Sequence, residues 1–182
     1  MAMPGCSSAP QDIQIVDSGW SFAVGVRGDS VRDAEKYVFS TAAGLEELAP
    51  LVPGGYGVLW LKNSFPIHAE LPGKNISILA DCINPGDEAY FNGHLVGSSG
   101  RVDDRDGMNF SDWNSARKYD VDGGFVRAGE NTMLVRIFVN HEGGFNGRLY
   151  VGHGDPIRRL YLEKVFFRTT LNVIITSITL FI

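Results

Sequence analysis

The sequence predicts an all-β protein built as a two-sheet sandwich, and three observations predict it. Apolar and polar residues alternate in short runs, the period of a pleated strand with one buried face. Turn-forming residues separate the runs, and 22 glycines in 182 residues exceed the usual share of about 7%. The one stretch of helical composition in the body, Ala42 to Leu51, is short and is closed by Pro50 and Pro53.

The length fits one domain large enough to bury a sizeable core. Hydrophobic residues make up 44% and charged residues 20%, which is globular composition and not that of a disordered chain. A formal net charge of −5 leaves no broad basic face for nucleic acid. Residues 1–10 lack a charged region followed by an apolar run and are expected to be a leader or the remnant of a cleaved signal. The two cysteines, Cys6 and Cys82, do not suggest zinc. Cys82 falls on the inward face of a strand as a small apolar residue, and a Cys6–Cys82 disulfide stays open beside that reading.

The organising stretch is Asn75 to Gly100. Ile76, Ile78, Ala80 and Cys82 fall on one face of a strand, and Ser77, Leu79, Asp81 and Ile83 on the other. Asn84-Pro85-Gly86-Asp87 turns the chain. Glu88 to Phe91 then meets Asn92-Gly93, suited to the two positive-φ positions of a type I′ hairpin, and His94-Leu95-Val96 returns.

Taken in order, Gln11 to Val26 holds two short strands around the bend Asp17-Ser18-Gly19. Arg27 to Ala34 is polar and expected to be a loop, and Glu35 to Phe39 a strand. Ala42 to Leu51 gives a helical turn or two. Val58 to Ile67 is a strand whose Pro66 marks an edge or an end. Ser98 to Lys118 is the longest polar segment, and a loop of that length in a compact domain is commonly functional. Tyr119 to Val121 pairs briefly. Thr132 to Asn140 is the clearest strand, with Met133, Val135, Ile137 and Val139 on one face and Arg136 and Phe138 on a partly covered opposite face. Gly143-Gly144 and Gly147 frame a turn before Leu149-Tyr150-Val151. The count is about eight to ten strands.

Asp155-Pro156 is the pattern of a helix cap with proline in the first turn. The basic residues Arg158, Arg159, Lys164 and Arg168 follow, and no charge occurs from Thr169 to Ile182. This C-terminal part is expected to be a helix or membrane-entry segment. Residues 155–182 then form a basic linker and the start of a truncated transmembrane helix, which needs about 20 apolar residues in full. The alternative is a final strand or buried segment from Val173 to Ile182. Positive charge on the domain side runs against the usual cytoplasmic placement.

VLWLKNSFPI, the alternating strand, EAYFNGHLVGSSG and GENTMLVRIFVNHEGGFNGRLYVG together resemble the galactose-binding-like jelly-roll β-sandwich. The resemblance covers Tyr56 to Gly152. That domain precedes the catalytic barrel in family 2 glycoside hydrolases, and it serves as an extracytoplasmic sensor in bacterial membrane-bound signalling proteins, including seven-transmembrane receptors with diverse intracellular modules. The matching positions are architectural, so they imply fold before activity. A departure from the hydrolase version favours the sensor: a basic stretch with an uncharged tail stands where a barrel would start.

The candidate ligand-binding residues are Arg101, Asp103, Asp104, Asp106, Asn109, Trp113 and Asn114. Trp113 offers a ring face to the apolar side of a pyranose, while Arg, Asp and Asn bond hydroxyls. Trp113 folding back over the sandwich end is the competing reading. Asn140-His141-Glu142 with Gly143-Gly144 is a second loop candidate. Asp104-x-Asp106-Gly107 matches part of a calcium loop, but Val102 and Trp113 would fill its first and twelfth places, so solvated acid is the simpler reading and calcium the only cofactor in view. His68, His94, His141 and His153 lack metal-ligand spacing. No nucleophile elbow, phosphate loop or Cys/His pair occurs, and 21 acidic residues single out no catalytic carboxylate pair.

The expected function is an extracytoplasmic ligand-binding sensor of a membrane-anchored bacterial signalling protein, with carbohydrate as the ligand class and no catalysis in this chain. It would sit on the periplasmic or extracellular face, reach the membrane through its C-terminal segment, avoid nucleic acid and be compatible with a homodimer. The alternatives are an accessory sugar-binding domain of a glycoside hydrolase and a structural interaction domain without a small ligand.

Overall fold

The computed structural model describes residues 12–42, 44–84, 86–103, 107–110, 115–170, 173, 174 and 176. In chain order the strands are β1 (Ile13–Val16), β2 (Ser21–Val24), β3 (Ser40–Thr41), β4 (Tyr56–Pro66), β5 (Ile76–Ala80), β6 (Ile83–Asn84) and β7 (Asp87–Phe91). They continue as β8 (His94–Ser99), β9 (Arg101–Asp103), β10 (Gly107–Phe110), β11 (Arg117–Val121), β12 (Glu130–Asn140), β13 (Gly144–Phe145) and β14 (Leu149–Gly152). A short helix, α1 (Val31–Ala34), precedes β3, and α2 (Gly154–Val165) follows β14.

The fold is an all-β sandwich. A six-stranded sheet has the order β3-β2-β4-β12-β7-β8 and a four-stranded sheet the order β1-β14-β5-β11, with β9–β10 and β6–β13 as separate ribbons. The backbone of the larger sheet is the antiparallel pair β4–β12, in register from Tyr56↔Asn140 to Pro66↔Glu130. Leu59, Leu61 and Phe65 of β4 and Met133, Val135, Ile137 and Val139 of β12 point into the sandwich. There they meet Ile76, Ile78 and Ala80 of β5 and Leu149 and Val151 of β14 in one core. Pro66 ends β4 as expected, with no ladder bond left to donate.

The hairpin at the centre of the sequence forms as predicted. Asn92 and Gly93 take φ values of 49° and 84°, the left-handed pair that matches strand twist in a two-residue turn. The Asn92 side chain adds a second role. Its amide donates to Phe125 O at 2.7 Å and Asn131 Oδ1 at 2.8 Å, and its oxygen accepts from Thr132 N–H at 2.9 Å. The turn before it does more than reverse direction. Residues 81–86 carry the chain from β5 in the small sheet to β7 in the large one.

Strand β5 is buried on both faces, where simple alternation predicts one. Its outward Leu79 packs with Ile13, Ala116 and Ile157 of α2, so the helix covers the outside of the small sheet. The strand stops at Ala80, where both partners end their pairing. Cys82 therefore lies beyond the strand, partly exposed and as a free thiol, with Arg168 donating to its sulfur. Cys6 lies outside the described residues.

Other expectations are corrected. Arg27 to Ala34 is not all loop: Ser30 N–H and Oγ both donate to Asp33 Oδ2, at 3.1 and 2.6 Å, closing a capping box that starts α1. Glu35 to Phe39 is not a strand. Tyr37 bonds Asp29 through its hydroxyl, and Tyr37 and Phe39 lie over the outer face of the large sheet beside Trp60. These residues are held by side-chain contact, so their spacing mimics a strand without a ladder. The pairing partner of β2 on that side is Ser40–Thr41. In Ala42 to Leu51 the expected helical turn forms as a 3-10 turn at Ala49–Leu51, and another follows at Pro53–Gly55. Helix α2 starts one residue before Asp155, with His153 at the cap position, so Asp155 sits in the first turn where its charge suits the helix dipole.

The uncharged tail is described only in part. Val173, Ile174 and Thr176 are helical, which does not suit a final strand there, and Val173 and Ile174 are exposed. Among the described residues no helix is long and apolar enough to cross a membrane.

Asp81, just past β5, pins α2 to the sandwich. Its Oδ1 lies 2.9 Å from Lys164 Nζ and 3.4 Å from Arg168 Nη2, and its Oδ2 accepts from Asn146 at 2.8 Å. Burial alone would raise its pKa, but Lys164, Asn146 and Arg168 outweigh burial and hold the carboxyl below the usual range. A depressed folded-state pKa gives stability that is full above the unfolded value, about 4, and is lost as pH falls through the folded value. Hydrogen exchange of the α2 amides should therefore accelerate as pH drops below about 4 relative to the intrinsic rate. Asp81→Asn should flatten that dependence and cost about 2 kcal/mol, less than the ~3–5 for breaking a fully buried pair because both cations reach water. An unchanged profile in the variant would remove Asp81 from this role.

Candidate functional site

The long polar segment leaves and rejoins the sandwich on one flank. β8 is an edge of the large sheet and β11 an edge of the small one, and the two edges face each other. Ser99 ends β8 and Ser115 precedes β11, and both line a groove between the two edges. That groove has a volume of about 290 Å³, with Ser98, Ser99, Ser115, Lys118 and Tyr161 of α2 among its lining residues. Its lining is rich in hydroxyl groups, with one ammonium, which suits a hydroxylated ligand better than an apolar one.

Beneath the groove lies a buried polar cluster that bridges the two sheets. Arg117 of β11 donates through Nε to Asp87 Oδ1 of β7 at 2.9 Å, and the two side chains are 2% and 0% exposed. Arg117 also bonds Ile83 O at 2.8 Å and Ser115 O at 2.6 Å. It thus fixes both the crossover into β7 and the point where the polar segment returns. Tyr119 donates its hydroxyl to the other oxygen of Asp87. Its ring lies over the backbone of Gly97, where an added Cβ would come within 2.6 Å of a ring carbon. A bulge in β8, shifting register between Ala89 and Tyr90 on β7, brings Gly97 to that place. The cluster is a positioning device: it sets the groove floor with bonds in low dielectric.

The structure brings three predicted residues into one ribbon. Arg101 and Asp103 lie on β9 and Asn109 on β10, with Asp103↔Gly107 and Arg101↔Phe110 paired and Asn109 at the irregularity between Met108 and Phe110. The polar segment is therefore not a structureless loop, and its β10 packs against β12. Asp104, Asp106, Trp113 and Asn114 lie outside the described residues.

The outward side of β12 carries a second polar group. Arg136 Nη1 lies 3.2 Å from Glu88 Oε2, which also accepts from the Tyr90 hydroxyl at 3.1 Å. Burial and the Glu88 charge push the Tyr90 phenol up to about 12, so it stays a donor at physiological pH. The second loop candidate is tied back to the sandwich through its backbone. His141 takes φ 59° and donates its N–H to Gly55 O at 2.6 Å, and Gly143 O accepts from Leu48 N–H at 2.9 Å. The histidines stay apart, His94 stacking on Phe125 with ring centroids 3.7 Å apart. Among the described residues no group of three or more His, Cys, Asp or Glu side chains is placed to hold a metal ion.

The groove residues and the Asp87–Arg117–Tyr119 cluster went unnoticed in the sequence. One signal was there: Arg117, Tyr119 and Val121 alternate, which aims an arginine at the core and calls for a buried carboxylate. Which carboxylate answers it depends on the crossover at residues 81–86.

No family model matches the chain, and no curated protein matches it in sequence. Its fold is similar to that of β-glucuronidase from Ruminococcus gnavus. In complex with uronic deoxynojirimycin that protein aligns at a TM-score of 0.59 and 13% identity, over 79% of this chain and 29% of the neighbour. In complex with D-glucaro 1,5-lactone it aligns at 0.61 and 12%, over 80% and 30%, and its apo form at 0.59 and 13%, over 80% and 30%. The chain thus spans less than a third of those neighbours, and at such identity the likeness shows the fold.

Arg117→Met should destabilise the domain by about 3–5 kcal/mol in urea unfolding, because Asp87 is left as a buried charge without its cation. Tyr119→Phe removes one hydrogen bond and should cost only about 1–3 kcal/mol. Equal losses, or a small loss at Arg117, would show that the cluster does not carry the groove floor.

Proposed function

We propose that the chain is a non-catalytic carbohydrate-binding β-sandwich that serves as an accessory domain of a longer glycoside hydrolase. The observation that supports this best is the fold shared over about four-fifths of the chain with under a third of each β-glucuronidase chain. An accessory domain accounts for a part-length likeness of that kind. The hydroxyl-lined groove is the site assigned to the sugar, with Arg101, Asp103, Asp104, Asp106, Asn109, Trp113 and Asn114 of the polar segment that joins its two edges as the residues proposed to bind it. In this reading the sandwich binds and orients a polymer or branched glycan for a catalytic partner elsewhere.

A second reading draws on a different observation. Leu162, Phe166 and Phe167 are exposed among the basic residues Arg158, Arg159, Lys164 and Arg168, and Val173 and Ile174 of the uncharged tail that follows are exposed as well. These features support a membrane-proximal segment, and with it an extracytoplasmic sensor on the periplasmic or extracellular face. Ligand or dimerisation would then shift how the sandwich sits on its membrane connection.

Thermal unfolding with a panel of mono- and oligosaccharides, with and without calcium, tests the binding reading. A ligand at about ten times its Kd adds about 1.4 kcal/mol, which raises Tm by about 3–6 °C for a domain of this size. Tyr161→Ala should abolish the rise while leaving the unliganded Tm within a few degrees. No rise with any sugar would leave the packing-module alternative in its place.

A further inference from the structure

We propose that the outer face of the six-stranded sheet carries a second binding pocket, for a small organic carboxylate, separate from the groove between β8 and β11. The pocket has a volume of about 210 Å³. Its floor is Lys62 of β4 and Thr132 and Leu134 of β12, and the ladder places Lys62 directly opposite Leu134. One wall is the segment after α1, with Glu35 and Phe39, and the other is the hairpin tip Asn92-Gly93. Arg127, from the turn before β12, also lines it.

The walls are set before any ligand arrives. Every polar atom of the Asn92 side chain is committed to Phe125, Asn131 and Thr132, so the hairpin tip is fixed. Gly93 takes φ 84°, and a Cβ there would stand 3.5 Å from Glu35 Oε1, which places the glutamate against the tip. The Lys62 ammonium sits 5.3 Å from the Phe39 ring centroid, a cation–π contact that aims it across the pocket. Among the described residues Lys62, Arg127 and Glu35 make no ion pair, although the chain is acidic overall.

Two cations and one carboxylate around a small pocket define the ligand chemically. Its acid group pairs with Lys62 and Arg127, the latter offering a planar fork suited to a carboxylate. Its other end presents a hydroxyl or ammonium donor to Glu35, and a short carbon chain lies on Phe39 and Leu134. The volume is below the range of about 300–1,000 Å³ for drug-sized ligands, so the acid has only a few carbons. Hydroxy acids and amino acids share this chemistry.

The test is a titration of the isotope-labelled protein with lactate, glycerate, glycine and alanine, and with inorganic phosphate, followed by amide shifts. Saturable shifts at Gly93 and Leu134 are expected for at least one of the acids, with Kd of about 1 mM or tighter. Lys62→Met and Arg127→Gln should each weaken binding by about tenfold or more. Arg158→Gln on α2 should leave it unchanged. Glu35→Gln separates the two sources: it weakens an amino acid and spares a hydroxy acid. Absence of saturable shifts, equal binding of phosphate, or an affinity indifferent to Lys62→Met and Arg127→Gln would overturn the proposal. Spectra of the variants that superimpose away from the pocket show that the fold is intact.

Discussion

The pairing of β4 with β12 is the constraint from which the rest follows. Its register puts Leu59 opposite Ile137 and Leu61 opposite Val135 on the inside, and Trp60 opposite Arg136 and Lys62 opposite Leu134 on the outside. A slip of one residue would turn every one of these side chains to the wrong face. Burial on the inside is nearly complete: Leu59, Leu61, Met133, Val135 and Ile137 are all without exposed surface. At about 1.5–3 kcal/mol for each fully buried aliphatic side chain, this double row outweighs any single polar contact elsewhere in the domain.

Both proposed binding surfaces are consequences of that frame. The outer face of the same pair forms the floor of one pocket, because α1 and the residues after it cover only part of the sheet around Trp60 and Phe138. The groove on the far flank exists because β8 and β11 are edges of different sheets that the buried Arg117–Asp87 pair draws together. Bridging two sheets with a buried ion pair is an expensive way to gain stability. It is a direct way to hold two edges at a fixed separation, which a ligand groove needs.

Much of the architecture was legible in the residues. Period-2 alternation marked β4, β5 and β12, and Asn92-Gly93 marked a hairpin whose backbone angles admit few other pairs. What the residues concealed was non-local. Leu79 looked like an outward residue because its cover, α2, comes some eighty residues later in the chain. Tyr37 and Phe39 looked like strand positions because side chains that lie across a sheet repeat much as those within one do. The capping box at Ser30 and Asp33 was visible and local, and the polarity of its surroundings hid it. The candidate site was legible only as a place. The polar segment after Ser98 starts and ends at residues that line the groove, Ser98, Ser99 and Ser115, yet Asp87, Arg117 and Tyr119 beneath it meet only through the way the two sheets stack.

The ladder between β1 and β14, with Ile13 opposite Gly152, sets the timetable of folding. Strand β1 leaves the ribosome well ahead of residues 149–152, its pairing partner in the small sheet. At about 5–20 residues per second, β1 waits about 7–27 seconds with its edge uncommitted. Such distant pairings slow closure of a domain, so the small sheet is completed last and its opening strand is the piece that a chaperone would most usefully hold.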